Sequence, residues 1–152
     1  MRKISLLLIA ISFTFFVHGQ DTTSFNFTFN HLALSVKDVD RSVDFYKKVL
    51  NLKEITNRTK IEGIRWLSLG EDKELHFISI LKEPFTINKA IHLGLTTSSF
   101  DTFIKRLDIL KIAYSDWSGA SHTITTRADG VKQIYFQDPD GYWIEVNNIG
   151  QK

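Results

Sequence analysis

Four residues of types that bind divalent metals recur at matching places in the chain: His31, His76, His92 and Glu145. Three imidazoles and one carboxylate suit Zn²⁺, Ni²⁺, Co²⁺, Mn²⁺ or Fe²⁺, and this set is too rich in nitrogen for Ca²⁺ or Mg²⁺. Four such ligands complete a tetrahedron or leave two adjacent positions open on an octahedral ion. The residue types therefore predict one divalent transition metal ion as cofactor, held in a cleft between two related halves of the chain.

The predicted strands and helices that position these residues form an internal repeat. Residues 27–36 alternate in the way that is typical of a half-buried strand, and Asp38 then caps a predicted helix that ends near Leu50. The pattern of the five residues from His31 restarts at His92, where Ser98 and Asp101 give a second helix a start that resembles a capping box. The remaining predicted strands are residues 52–58, 64–69, 75–81, 112–116, 131–137 and 142–147.

This order predicts an α+β fold of two tandem βαβββ modules, residues 26–82 and 90–149, within one domain, residues 26–149. A strand-helix-strand-strand-strand unit leaves one face of its sheet uncovered by its own helix. Two such units can close those faces against each other, which creates a shared cleft.

Strand parity selects the residues that face this cleft. On the first strand of each module the apolar residues belong to the helix side, so His31 and His92 point the other way. On the last strand Ile144 and Val146 suit the core, so Glu145 faces the cleft. Parity cannot choose between Glu74 and His76, which share a face. Aligning the closing hairpins of the two modules pairs His76 with Glu145 and favours His76, with Glu74 as the alternative.

Composition narrows the class of protein. The 152 residues include no cysteine, which excludes disulfides, thiolate zinc sites and cysteine nucleophiles. Arg2 and Lys3 precede an apolar run over residues 4–17, and Gly19 offers a small residue for cleavage. This is the layout of a signal peptide, residues 1–19, which predicts an exported (periplasmic or secreted) protein, with an uncleaved anchor as the alternative. Without its two basic residues the chain carries 17 basic and 17 acidic side chains. Its partners are then neither nucleic acid nor membrane surface.

The segments from His31 to Leu50, Glu74 to Ile78, His92 to Leu95 and Phe136 to Val146 resemble the vicinal-oxygen-chelate superfamily, which includes glyoxalase I and the bleomycin-resistance proteins. The resemblance implies paired βαβββ modules that form a U-shaped mixed sheet around a central metal, often in a homodimer. It also implies ligands on the first and fourth strands of each module, which matches the four residues above. One departure is that bacterial glyoxalase I usually has Glu where His76 stands, which leaves Glu145 as the only carboxylate ligand.

The leading functional prediction is a glyoxalase-like lyase or isomerase that acts on a small-molecule substrate with vicinal oxygens. The metal would polarise these oxygens, Glu145 would be the catalytic proton shuttle, and Arg65 and Arg127 would hold an anionic substrate group. One alternative is an Fe²⁺ ring-cleaving dioxygenase, although such members of the superfamily usually have four modules. Another is a drug- or metabolite-binding protein of the bleomycin-resistance type, which retains no catalytic metal.

Overall fold

A computed structural model describes residues 25–83 and 85–150. The predicted signal peptide lies outside the described residues. The described chain forms two helices and eight strands in the order β1 His31–Val36, α1 Val39–Leu50, β2 Lys53–Ile55, β3 Ile64–Gly70, β4 Lys73–Ser79, β5 His92–Thr96, α2 Phe100–Leu110, β6 Thr125–Thr126, β7 Lys132–Gln137 and β8 Trp143–Asn147. Neither helix is long and apolar enough to cross a membrane.

The two modules have the same topology. The first sheet has the strand order β1-β4-β3-β2 and the second has the order β5-β8-β7-β6. In each sheet the first strand of the module runs parallel to the last, and the other pairs are antiparallel. The α+β fold of tandem βαβββ modules is therefore confirmed.

One hydrophobic core joins the modules. Phe136 of β7 contacts both Phe45 of α1 and Phe103 of α2, at ring-centroid distances of 6.4 and 6.0 Å. Buried residues from both sheets, such as Leu75 and Ile144, belong to the same cluster. The apolar faces of both sheets thus pack together with both helices. Because side chains alternate along a strand, the faces that begin with the histidines point away from this core.

The two helices begin differently. Asp38 caps α1 as predicted, because its carboxylate accepts hydrogen bonds from the backbone N–H groups of Asp40 and Arg41, both at 3.0 Å. Ser99, and not Ser98, precedes α2, and its side chain makes no capping hydrogen bond. The predicted capping box at Ser98 was therefore wrong.

The second module keeps the predicted strand order, but one strand lies at a different position in the sequence. Residues 112–116 form only isolated bridges at Ser115, and the fourth strand of the sheet is the two-residue β6. The physical reason is that this segment turns back on itself, since the Asp116 carboxylate accepts from the Ala120 N–H at 2.8 Å and from the Ser118 hydroxyl at 2.7 Å. Such a turn ends the extended conformation that a longer strand would need.

Candidate metal centre

Strand register places the four predicted ligands at equivalent positions. On β1 and β4, His31 lies opposite Glu74, and the next residue of the same face of β1, Ala33, lies opposite His76. On β5 and β8 the corresponding pairs are His92 with Trp143, and Gly94 with Glu145. His76 is therefore the counterpart of Glu145 in the repeat, whereas the counterpart of Glu74 is Trp143.

The pair in the first module forms a column of stacked rings. The His31 and His76 rings stack with centroids 4.3 Å apart, and Trp66 stacks on the other side of His76 at 4.0 Å. The Arg58 guanidinium carbon lies 4.7 Å from the centroid of the Trp66 ring and extends the column. The Trp66 indole N–H is buried and has no hydrogen-bond partner in the described part of the chain. This half of the site is thus ordered mainly by ring contacts.

Glu74 supports His76. One of its carboxylate oxygens lies 2.8 Å from His76 Nε2, and the other accepts from Arg58 at 2.6 Å. These two hydrogen bonds, the one from His76 first, lower the pKa of Glu74 below its usual range. Glu74 is then an ionised partner that fixes the orientation of His76, which is the common role of a carboxylate next to a metal-binding histidine.

The pair in the second module lies in a hydrogen-bond network. Glu145 is buried, with Oε2 at 3.3 Å from His92 Nε2 and at 2.6 Å from the Tyr135 hydroxyl, which donates to it. Asn147 donates to the other oxygen of Glu145 at 2.8 Å, and Gln133 donates to the Tyr135 hydroxyl at 2.8 Å. Burial, and then this bond to Glu145, raises the pKa of Tyr135, so its hydroxyl stays a neutral donor.

Two of the histidines are oriented in the same way. His31 Nδ1 lies 2.6 Å from the side-chain oxygen of Asn30, and His92 Nδ1 lies 2.8 Å from the backbone oxygen of Lys89. Both oxygens are acceptors, so each Nδ1 carries the proton and donates it. This tautomer leaves Nε2 with a lone pair for a metal ion.

The pair in the second module fits half of a coordination sphere. Two ligands with bonds of about 2.1 Å to one ion lie about 3.0–3.4 Å apart, and the His92 Nε2 to Glu145 Oε2 distance of 3.3 Å agrees with this. The chain does not, however, bring the two pairs together. Within residues 25–83 and 85–150, no group of three or more His, Asp or Glu side chains is arranged to hold a metal ion. The four predicted ligands are therefore not arranged as one complete coordination group within these described residues.

The two arginines predicted to bind substrate are placed differently. Arg65 lies opposite the core residue Phe77 in the sheet, and its guanidinium binds Glu54 at 2.7 and 2.8 Å and Asp40 at 2.6 Å. These contacts on the helix side of β3 favour a structural role for Arg65. Arg127 is partly exposed, binds Asp129 at 2.8 Å and is close enough to Tyr135 to offset a small part of the rise in the Tyr135 pKa.

Arg58 was not among the site residues predicted from the sequence. It precedes His76 by eighteen residues, which is the same spacing that separates Arg127 from Glu145, and this regularity was the signal that would have identified it. Two aromatic residues, Trp66 and Tyr135, contact the ligand pairs directly.

Comparison with known proteins agrees with this architecture. The profile of the Glyoxalase/Bleomycin resistance protein/Dioxygenase superfamily matches residues 28–146, and the chain belongs to this family. Similar proteins include the metallothiol transferase FosB of Shouchella clausii, 32% identical over 78% of this chain and 77% of that protein. A lactoylglutathione lyase of Pseudomonas putida is 43% identical over 83% of this chain and 87% of that protein. A glyoxalase/dioxygenase structure from Nostoc punctiforme is 25% identical, with a TM-score of 0.63 over 80% of this chain and 90% of that chain.

Proposed function

We propose that this protein is a metal-dependent enzyme of the glyoxalase type, a lyase or isomerase that acts on a small molecule with vicinal oxygens. The observation that carries the proposal is the register of the sheets, which puts His31 with His76 and His92 with Glu145 at equivalent places on the two outward faces. A divalent transition metal bound by these residues would supply Lewis acidity toward the substrate oxygens.

The complete site is proposed to form between two copies of the chain. Each chain presents two half-sites that point away from its own core, and each half-site supplies only two donors. Three phenylalanines in the segment before β1, Phe25, Phe27 and Phe29, are 74%, 92% and 53% exposed, and such a cluster of exposed apolar side chains favours a protein partner. In the assembled site the first module of one chain would face the second module of the other.

Within this site the residues of the chain have separate roles. Glu145 is the only carboxylate among the four ligands, and it would move the substrate proton. Tyr135 and Asn147 hold the two oxygens of Glu145 and so fix the direction of that carboxylate. Arg127, together with Arg58, would hold an anionic group of the substrate, because both guanidinium groups lie on the outer part of the site and are partly exposed.

The predicted export of the protein bears on its substrate. Glutathione is concentrated in the reducing cytosol, so an exported enzyme would be poorly placed to use the substrate that the name lactoylglutathione lyase implies for the Pseudomonas relative. We therefore propose an α-hydroxycarbonyl or diol-like substrate that does not contain glutathione.

Metal analysis tests the ligands. Protein without residues 1–19 is to be loaded with Zn²⁺, Ni²⁺ or Fe²⁺, desalted and analysed for bound metal, next to His31→Ala, His76→Ala and Glu145→Ala. We expect one ion per chain in the unchanged protein and loss of that ion in each variant. Glu74→Ala is the matched control, and it should weaken binding only by about 10- to 100-fold because Glu74 acts through His76. An unchanged protein that takes up no metal would contradict the proposal.

A mixing experiment tests assembly between two chains. One variant lacks the first pair (His31→Ala with His76→Ala) and the other lacks the second pair (His92→Ala with Glu145→Ala). Neither variant should bind metal alone. After mixing under conditions that exchange subunits, half of the dimers would contain both variants and one intact site, so about a quarter of the normal metal content should return. No recovery in a mixture that exchanges subunits would place the site within one chain.

The metallothiol transferase relatives favour a second candidate reaction at the same site, the transfer of a thiol to a small molecule. The two reactions differ in whether they consume free thiol. An isomerase or lyase converts one substrate without consuming free thiol, whereas a transferase consumes one thiol for each turnover. Counting free thiols during turnover with a thiol reagent therefore separates them.

A further inference from the structure

An apolar cavity lies next to the candidate metal centre. It has a volume of about 170 Å³ and lies between the free edge of β1, the connector before β5, and the first residues of β5 and β8. Its walls include Leu32, Ala33, Leu34, Ile87, His92 and Leu93. One wall of this cavity is therefore a proposed metal ligand, His92.

The polar groups in these walls are directed elsewhere. The Tyr142 hydroxyl donates to Ser35 O at 3.0 Å and accepts from Ser35 N at 3.1 Å. The Trp143 indole N–H donates to Ile87 O at 3.1 Å, and the Tyr46 hydroxyl donates to Asp138 at 3.1 Å.

The His92 ring completes this lining. Its two nitrogens are directed to Lys89 O and to Glu145. Ring carbons and aliphatic side chains are thus what the cavity offers to a guest. An apolar cavity of about 150 Å³ is large enough for benzene.

The cavity is open on the side of the metal centre. Ala33 and His92 belong to the strand faces that carry the ligands, and both are exposed. Ile91, the neighbour of His92, is 71% exposed. A molecule held at His92 can therefore extend an apolar group past the short side chain of Ala33 into the space between the strands.

We infer that this cavity is an apolar subsite that takes one ring or a short alkyl chain of the molecule bound at the metal centre. The inference rests on the proposed function and deepens it, since it assigns to the substrate a polar end with vicinal oxygens and an apolar end. Burial of each methylene contributes about 0.8 kcal/mol, so affinity should rise about fourfold for each carbon added until the cavity is full.

Binding of benzene to metal-free protein, followed by NMR, tests the cavity without the metal. In methyl ¹³C–¹H spectra of the unchanged protein, benzene should shift the methyl signals of Leu32, Leu34, Ile87 and Leu93. In Ala33→Leu these shifts should disappear, because the larger side chain fills the space. Ala120→Leu, at an exposed alanine that does not line the cavity, should behave like the unchanged protein. Absence of these shifts in the unchanged protein overturns the inference whether or not metal binds.

A series of chelators tests the link to the metal centre. Aceto-, butano- and hexanohydroxamate carry the same pair of oxygens with tails of increasing length, and they are to be titrated into zinc-loaded protein. We expect dissociation constants that fall along the series in the unchanged protein and in Ala120→Leu, but stay level in Ala33→Leu. A level series in the unchanged protein overturns the subsite. Failure to load zinc, with the benzene shifts present, overturns the metal-dependent function while the apolar site stands.

Discussion

The two halves of the candidate centre use the same strand positions and hold them by different forces. In the first module a column of rings, Trp66 on His76 on His31, orders the ligands together with the hydrogen bond between His76 and Glu74. In the second, hydrogen bonds from Tyr135 and Asn147 fix Glu145. An imidazole is planar and can be held by stacking, whereas a carboxylate has four lone-pair directions and needs donors to choose among them. The difference shows how one repeated scaffold accommodates two kinds of ligand.

The largest expected effect concerns the hydrophobic core that the two modules share. Phe136 is almost fully buried and contacts the helices of both modules, so Phe136→Ala should lower the free energy of unfolding by about 3–5 kcal/mol. Urea unfolding of the unchanged protein and of the variant should show one transition, at the same urea concentration by circular dichroism and by tryptophan fluorescence. Ile109→Ala, at a site 79% exposed, should change stability by less than about 0.5 kcal/mol. Two separate transitions would show that the modules fold as independent units.

The second prediction concerns the closing turns. Asp138 in the turn of the second module is buried, and this burial raises its pKa to about 6. Between about pH 4 and pH 6 the folded state therefore binds more protons than the unfolded state, and the free energy of unfolding falls as pH rises. The contribution is complete below about pH 4, and about 3 kcal/mol of it is lost by pH 7.

This loss should be absent in Asp138→Asn, in which the side-chain oxygen can still accept from the backbone of Asp140 and Tyr142. Chemical unfolding at pH 4.5 and pH 7, analysed as the difference between each variant and the unchanged protein, measures the effect. Asp72→Asn, in the exposed turn of the first module, is the control and should leave the pH dependence unchanged. An identical pH dependence in Asp138→Asn would refute the assignment.

The third prediction compares the two aromatic residues beside the ligands. Tyr135→Phe removes a donor from the buried Glu145 carboxylate, so metal affinity should fall by about 10- to 100-fold and stability by about 1–3 kcal/mol. Trp66→Phe keeps an aromatic ring against His76 and removes an N–H that has no partner among the described residues, so metal affinity should change little. Zinc titration with a competing chelator gives both affinities. A larger loss of affinity in Trp66→Phe would reverse the comparison.

The smallest expected effect concerns the helix starts. Asp38→Ala removes two hydrogen bonds to the first turn of α1 and should cost about 1 kcal/mol. Ser99→Ala removes no capping bond from α2, so its effect should be close to zero. Thermal unfolding of the two variants side by side measures the difference, and equal effects would argue against the capping role of Asp38.

Local patterns predicted the elements that carry the ligands. The alternation around His31 and His92, the cap at Asp38 and the alignment of His76 with Glu145 depend on neighbours in sequence, and the structure has these elements and this register. The two-residue β6 was not predicted because its position is set by pairing with β7 and not by its own residue pattern.

The packing of the two faces of each sheet could not be predicted from the sequence. Strand parity tells which face of a sheet a side chain occupies, but it does not tell what covers that face. The apolar faces of both sheets pack into one core through residues such as Phe136, and this contact spans both modules. Arg65 illustrates the same limit, because its partners Asp40 and Glu54 lie 25 and 11 residues away in the chain.

The Tyr142 hydroxyl has a consequence for how chains associate. Among the described residues β1 pairs with a strand on one side, and on its other edge this hydroxyl occupies both the N–H and the C=O of Ser35. A phenol thus takes the place that another strand would occupy, and unprotected strand edges are where sheets extend from one molecule to the next. Two copies can therefore meet through side chains, while the route to a continuous intermolecular ladder, and with it to aggregation, is obstructed at Ser35.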